Sequence, residues 1–186
     1  MKNDLTCKRL RELLHYCPNT GVFTHIPRNA GTFKTVSSYL MWARKFSGKE
    51  AGAVTMAGYR IIRADGGRYF AHRLAWLYVK GTWPGQYIDH INHDKLDNRI
   101  ENLRDVSGLE NCKNLPMSKE NKSGCPGVVW HKTNKCWQAT LKDNGKSVHL
   151  GAFKTRKEAI QSRLNANKQF GYHENHGMTK AVLISI

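Results

Sequence analysis

Between Leu115 and Gly127 the chain reads LPMSKENKSGCPG, a polar run with two prolines, two glycines and no apolar periodicity. Proline lacks the amide proton that helix and sheet ladders need, and glycine loses the most backbone freedom on ordering, so the run reads as a linker. It divides the 186 residues into two parts that must each find a core. The expected boundaries are 1–115, a linker at 116–126, a second module at 127–172 and a tail at 173–186.

Both parts are built from short segments. GYRIIRADGGRYFAHR holds two β-rich runs, about 59–63 and 68–72, around Ala64-Asp65-Gly66-Gly67, where Gly66 and Gly67 supply positive φ for a hairpin turn. LAWLYVKGTWPG then reads as an apolar helix from Leu74 to Val79, stopped by Gly81 and Pro84. PNTGVFTHIPR is another turn and strand, whereas GTFKTVSSYLMWARKFSGKEAG is too mixed to assign. Beyond the linker, GVVWHKTNKCWQATLKDNGKSVHLGAF divides into three β-like runs, with turns at Lys132–Lys135 and at Asp143-Asn144-Gly145. A helix follows, with a Thr155/Glu158 capping box, a face carrying Ile160 and Leu164, and Gly171 at its end. The predicted class is α+β.

Charge limits the partners. Thirty Lys and Arg face 14 Asp and Glu, a net of +16. Residues 1–115 hold 18 basic and 10 acidic side chains (+8), and residues 116–186 hold 12 and 4 (+8), so the second part is the denser cation. Such a balance favours a polyanion, with nucleic acid first. A membrane partner is not expected, because no apolar run approaches the roughly 20 residues a span requires. MKNDLTCKRLRELL lacks the uninterrupted apolar core of a secretion signal, which predicts a cytoplasmic protein. The five cysteines are odd in number and form no Cys-x-x-Cys pair, so neither a disulfide framework nor a zinc knuckle is signalled.

The stretch from Tyr87 to Asn114, YIDHINHDKLDNRIENLRDVSGLENCKN, holds few core-forming residues. It reads as a strand YIDHIN, a polar loop, a strand LRDV and a helix opened by a Ser107/Glu110 capping box, together a ββα unit. Asp89 and His90 then end the first strand, Asn102 precedes the second, and Asn111 lies one turn into the helix. Oxygen ligands from Asp89 and Asn111 suit a hard cation that keeps waters, and leave His90 to act on water.

This pattern resembles the HNH nucleases, and among them the phage and intron-encoded homing endonucleases with an H-N-N motif. The resemblance covers about Asn19 to Asn114, with IDHINHDKLDNRIENLRDVSGLEN as its core. It implies a ββα-metal (His-Me finger) domain behind a β-rich N-terminal extension. His90 is then the general base, Asn102 its orienting residue, and Asp89 with Asn111 the ligands of one Mg²⁺ or Mn²⁺. Asn111 stands where many such proteins carry His, which disfavours zinc. Arg60, Arg63, Arg68 and Arg73 decorate the preceding hairpin as DNA contacts. His93 is expected to face DNA or solvent, and His72 to serve either as a phosphate contact or in core or surface.

The segment Gly127 to Gly171 resembles the plant ethylene-response-factor (Apetala-type) DNA-binding domain, through Gly127-Val128, Trp137, Leu150-Gly151, Phe153 and Glu158-Ala159. The resemblance implies a three-stranded antiparallel sheet plus helix, with Trp130, His131, Lys132, Lys135, Trp137 and His149 as DNA contacts. Trp137 serves equally well as a core anchor. The family's arginine-rich first strand is replaced here by Val129-Trp130-His131. The expected whole is a monomeric, site-specific endonuclease of double-stranded DNA, needing no protein partner and working in the host cytoplasm if phage-encoded. A DNA-binding regulator without catalysis and an RNA-directed splicing helper are the rival classes.

Overall fold

The Thr6 hydroxyl accepts from the Arg9 amide and caps α1 (Cys7–Leu13), whose Leu10 and Leu13 are buried. The structure, a computed structural model, describes residues 5–178. β1 (Leu14–Cys17) and β2 (Val22–His25) pair antiparallel. The unassigned stretch that follows contains α2 (Val36–Phe46), opened by a reciprocal Thr35/Ser38 capping box. Tyr39, Trp42 and Phe46 share one face of it and meet the rings of Phe33 and His25, although none of its side chains is buried.

β3 (Ala53–Val54), β4 (Arg60–Ala64) and β5 (Gly67–Phe70) form an antiparallel sheet in that order. Its hairpin turns on Asp65 and Gly66, at φ 45° and 76°, the two positive values a type I′ turn requires. Gly67, expected in the turn, lies in β5, and a Cβ there would collide with the Tyr69 ring. α3 (Ala71–Lys80) starts three residues before the expected Leu74, so His72 and Arg73 are helical, and Gly81 ends it in the left-handed region at φ 77°. β6 (Tyr87–His90) pairs with β7 (Leu103–Val106), and α4 (Gly108–Cys112) follows under the expected Ser107/Glu110 box. The N-terminal extension therefore holds three helices besides its strands, a correction to the β-rich expectation.

The chain divides into two compact units, one running up to His90 and including Asp94–Asp105, the other comprising Ile91–His93 and everything from Val106 on. The division thus falls within the polar stretch. In the first unit Leu10, Leu14, Phe23, Ile62, Leu74 and Leu77 are the largest fully buried apolar side chains. Tyr16 joins them, its ring 4.8 Å from Phe23 and 5.6 Å from Tyr78. Truncating such a residue as Phe23 to Ala costs about 3–5 kcal/mol.

In the second unit β8 (Val128–His131), β9 (Cys136–Asp143) and β10 (Lys146–Phe153) form an antiparallel sheet with β9 central, and α5 (Arg156–Gln169) packs on it. Asn144 and Gly145 make the second type I′ turn, at φ 48° and 79°. The core joins Cys125, Val128, Ala139 and Ala159 with Trp137, Leu150, Phe153 and Ile160. The inner face of α5 carries Ala159, Arg163, Ala166 and Asn167, while Leu164 is 46% exposed. Small alanines let the helix approach the sheet, where the buried Arg163 donates to the Thr140 carbonyl at 2.6 Å. Residues 173–178 of the expected tail are tied down: the His173 and Gly177 amides donate to the Lys113 and Leu115 carbonyls, and Asn175 Nδ2 donates to the Ile91 carbonyl. Residues 179–186 of that tail lie outside the described residues. Among the described residues no helix is long and apolar enough to cross a membrane.

Candidate active site

Strand β6 ends on two buried polar residues, Asp89 and His90, 8% and 5% exposed. Burial of an ionisable side chain costs free energy unless its charge is paired or given up. Asp89 is paired: Arg104, on the paired strand β7, donates to Asp89 Oδ2 through Nε at 2.8 Å and Nη2 at 2.6 Å. His90 gives its charge up. Burial pushes its pKa below the ordinary imidazole value, against the opposing pull of the Asn98 hydrogen bond and of Asp89, Asp97 and Asp94.

The loop between β6 and β7 holds the ring. His90 Nε2 lies 3.3 Å from Asn98 Oδ1, and Asn98 is 1% exposed. Tyr16, from β1, donates its hydroxyl to the Asn98 carbonyl at 2.7 Å and pins that point of the loop. Asp94 Oδ1 accepts from the Leu96 amide, an Asx turn, and Arg99 is clamped to Asp97 and Glu101 at 2.7 Å each. On its other side the ring meets His72 edge-on, centroids 5.1 Å apart, and Tyr59 at 6.2 Å. His72 is itself buried and stacked on Phe70, and burial lowers its pKa to about 3. That settles the open choice for His72 in favour of the interior.

Asn102 sits in a 3₁₀ turn (Ile100–Asn102), buried, its Nδ2 donating to the Asp97 carbonyl at 2.8 Å. It braces the loop that carries Asn98. Sequence reasoning missed Asn98, because an asparagine in a polar loop reads as a turn residue and only its burial marks it out. Asn111 lies on α4 in the second unit, whereas Asp89, His90, Asn98 and Asn102 lie in the first. His93 belongs to the second unit too; at φ 61° it turns its Nε2 to Asn114 Oδ1 at 3.1 Å and is half-buried.

Asp89 offers a carboxylate and Asn111 an amide oxygen, each a donor type that suits a hard divalent cation. Among the described residues no three His, Cys, Asp or Glu side chains cluster as a metal cage.

The expected DNA contacts separate by environment. Arg60 is paired with Glu50 at 2.7 Å and donates to the Ala51 carbonyl. Arg73 donates to the Pro84 and Gln86 carbonyls at 3.3 and 3.5 Å, which ties it to the turn after α3. Arg63 and Arg68 are exposed and stand directly opposite each other on β4 and β5. In the second unit Trp130 and Trp137 are cross-strand partners with ring centroids 5.4 Å apart, and Trp137 packs against the core. Alternation along the strands then puts both tryptophans on the helix-facing side and Val129, His131, Gln138 and His149 on the other. His131 Nδ1 accepts from the Asn134 amide across the turn, and Lys135 takes the turn's positive φ of 47°, with Lys132 beside it.

A model of the HNH endonuclease family matches residues 69–113, the segment from β5 through α4. An uncharacterized HNH endonuclease of Acanthamoeba polyphaga mimivirus is 30% identical over 159 residues, 80% of this chain and 76% of the relative. Protein 3.8 of Escherichia phage T7 is 37% identical over 76 residues, 40% of this chain; the match spans 63% of that protein's length. No solved structure matches the chain. The chain belongs to the HNH endonuclease family.

Proposed function

We propose that the chain is a divalent-metal-dependent endonuclease of homing type, hydrolysing phosphodiester bonds in duplex DNA with His90 as general base. His90 itself carries this reading: a buried, neutral imidazole at a strand end, held through Nε2 by Asn98 and set beside a buried carboxylate. A neutral imidazole fixed at one nitrogen can take a proton from water at the other. Asp89 and Asn111 are the ligands that the family resemblance implies. Mg²⁺ or Mn²⁺ bound there would supply positive charge to the scissile phosphate. Asn102 is a positioning residue, acting through the loop.

Net charge and the paired Arg63 and Arg68 support DNA as the substrate. The second unit, a three-stranded sheet with one helix, is proposed as a DNA-binding module presenting His131, Lys132, Lys135 and His149. The test is a supercoiled plasmid incubated with Mg²⁺ and either the parent chain or His90→Ala. Conversion by the parent and none by the variant is expected; equal conversion by both removes His90 from the chemistry.

A further inference from the structure

Arg63 and Arg68 occupy one cross-strand pair on the outer face of the β4–β5 hairpin. Like charges in that position repel and weaken a sheet, so the pair is unfavourable unless an anion joins it. Among the described residues neither arginine has a carboxylate within ion-pair distance, and the two nearby acids are engaged elsewhere: Glu50 with Arg60, and Asp65 with Arg9, both at 2.7 Å.

The two arginines line a groove of 520 Å³ between the sheet and α2, together with His25, Arg28, Trp42 and Phe46. Arg28 lies over the Trp42 ring at 4.9 Å, which fixes its guanidinium at the groove wall. Arg28 Nε and His25 Nδ1 are buried and have no hydrogen-bond partner among the described residues. Native proteins seldom leave buried polar atoms unmatched, and here two of them border the same groove as two guanidinium groups without a carboxylate. Three arginines and a histidine without an acid among the lining residues describe the complement of a phosphodiester, which guanidinium forks bind in bidentate fashion.

We propose that this groove is a phosphate-binding subsite for the backbone of duplex DNA, with Arg63, Arg68 and Arg28 as its ligands and no lining residue from β6, where cleavage is assigned. It rests on the reading of the chain as a DNA endonuclease and adds the place on the first unit where the duplex is held. Phosphate contacts of this kind set position and affinity rather than base choice.

The full-length chain is titrated, in chelator to prevent cleavage, with a mixed-sequence duplex three helical turns long across a range of salt. The variants are Arg63→Gln/Arg68→Gln and a matched-charge control, Lys8→Gln/Lys34→Gln, two exposed lysines outside the groove. The groove variant is expected to lose about tenfold or more in affinity, and its slope of log affinity against log salt to flatten by about 0.9 for each phosphate that is no longer neutralised. Its melting temperature should stay level or rise, because a repulsive pair has been removed; a merely structural role would lower it. Affinity and slope equal to the control overturn the subsite while leaving the endonuclease reading intact. A parent chain that shows no salt-dependent duplex binding overturns both.

Discussion

The Nε2 of His90 lies 3.3 Å from the Oδ1 of Asn98, and the Nδ2 of Asn98 is committed to the Leu96 carbonyl at 3.2 Å. That second bond sets the amide orientation, so the oxygen faces the imidazole and Nε2 must be the protonated nitrogen. In the proposed reaction Nδ1 is then the proton-accepting atom. Asn98→Asp replaces a neutral acceptor with a negative one, which stabilises the imidazolium. The acid limb of the pH–rate profile should shift to higher pH, and an unmoved limb would show that Asn98 does not set the state of His90.

His90→Ala removes the proposed base while leaving the arginines untouched. Cleavage is expected to fall about 10²–10⁴-fold, with duplex affinity in chelator within a factor of about two of the parent. In the parent, burial lowers the pKa of His90. The rate should therefore rise with pH and level off below the ordinary imidazole value of about 6.5. Single-turnover rates across pH check both.

The ion pair of Asp89 with Arg104 sits where the cation is assigned. Asp89→Ala should abolish cleavage at every Mg²⁺ concentration, whereas Asn111→Ala, losing a neutral ligand, should recover in part with Mn²⁺ or excess Mg²⁺. Chelator should silence the parent chain. Activity that survives chelation would exclude the metal assignment.

His72 makes stability depend on pH. Its folded pKa of about 3 lies below the unfolded value of about 6.5, because burial first, and then a second positive charge beside Arg73 and next to the His90 ring, disfavours the imidazolium. Above 6.5 both states are neutral. Between 6.5 and about 3 the unfolded chain takes up a proton that the folded one refuses, so stability falls as pH falls, by at most about 1.4 kcal/mol per unit. Below about 3 this group adds no further loss. Urea unfolding at neutral and at acid pH should show a smaller fall for His72→Phe than for the parent.

Cutting after Leu115 removes the donors that His173, Gly177 and Asn175 supply to the carbonyls of Lys113, Leu115 and Ile91. The linker invites the expectation that 1–115 cuts by itself. With α4 belonging to the second unit, the truncated chain should instead lose cleavage, and the amides of α4 should exchange faster with solvent. A truncated chain that nicks plasmid at the parent's maximal rate would show that these bonds are dispensable.

Local chemistry determined much of this protein before any packing was considered. Asn144-Gly145, the Ser107/Glu110 and Thr155/Glu158 boxes and the ββα spacing of residues 87–114 are readable because each depends on atoms a few residues apart. Asp89 and His90 were legible for the same reason, as adjacent residues at a strand end. Tertiary structure alone decided the rest. α2 buries no side chain, and its aromatic face of Tyr39, Trp42 and Phe46 finds its partners in Phe33 and the distant His25. Asn98 becomes the partner of His90 only when Tyr16, 82 residues away, pins its carbonyl. Arg163 turns inward because a carbonyl on β9 awaits it. Whether Trp130 and Trp137 face the helix depends on strand register, and whether Arg63 and Arg68 oppose each other depends on the turn falling at Asp65-Gly66 rather than one residue later. A shift of one residue in a strand reverses every side chain, so pairing had to be known before faces could be assigned.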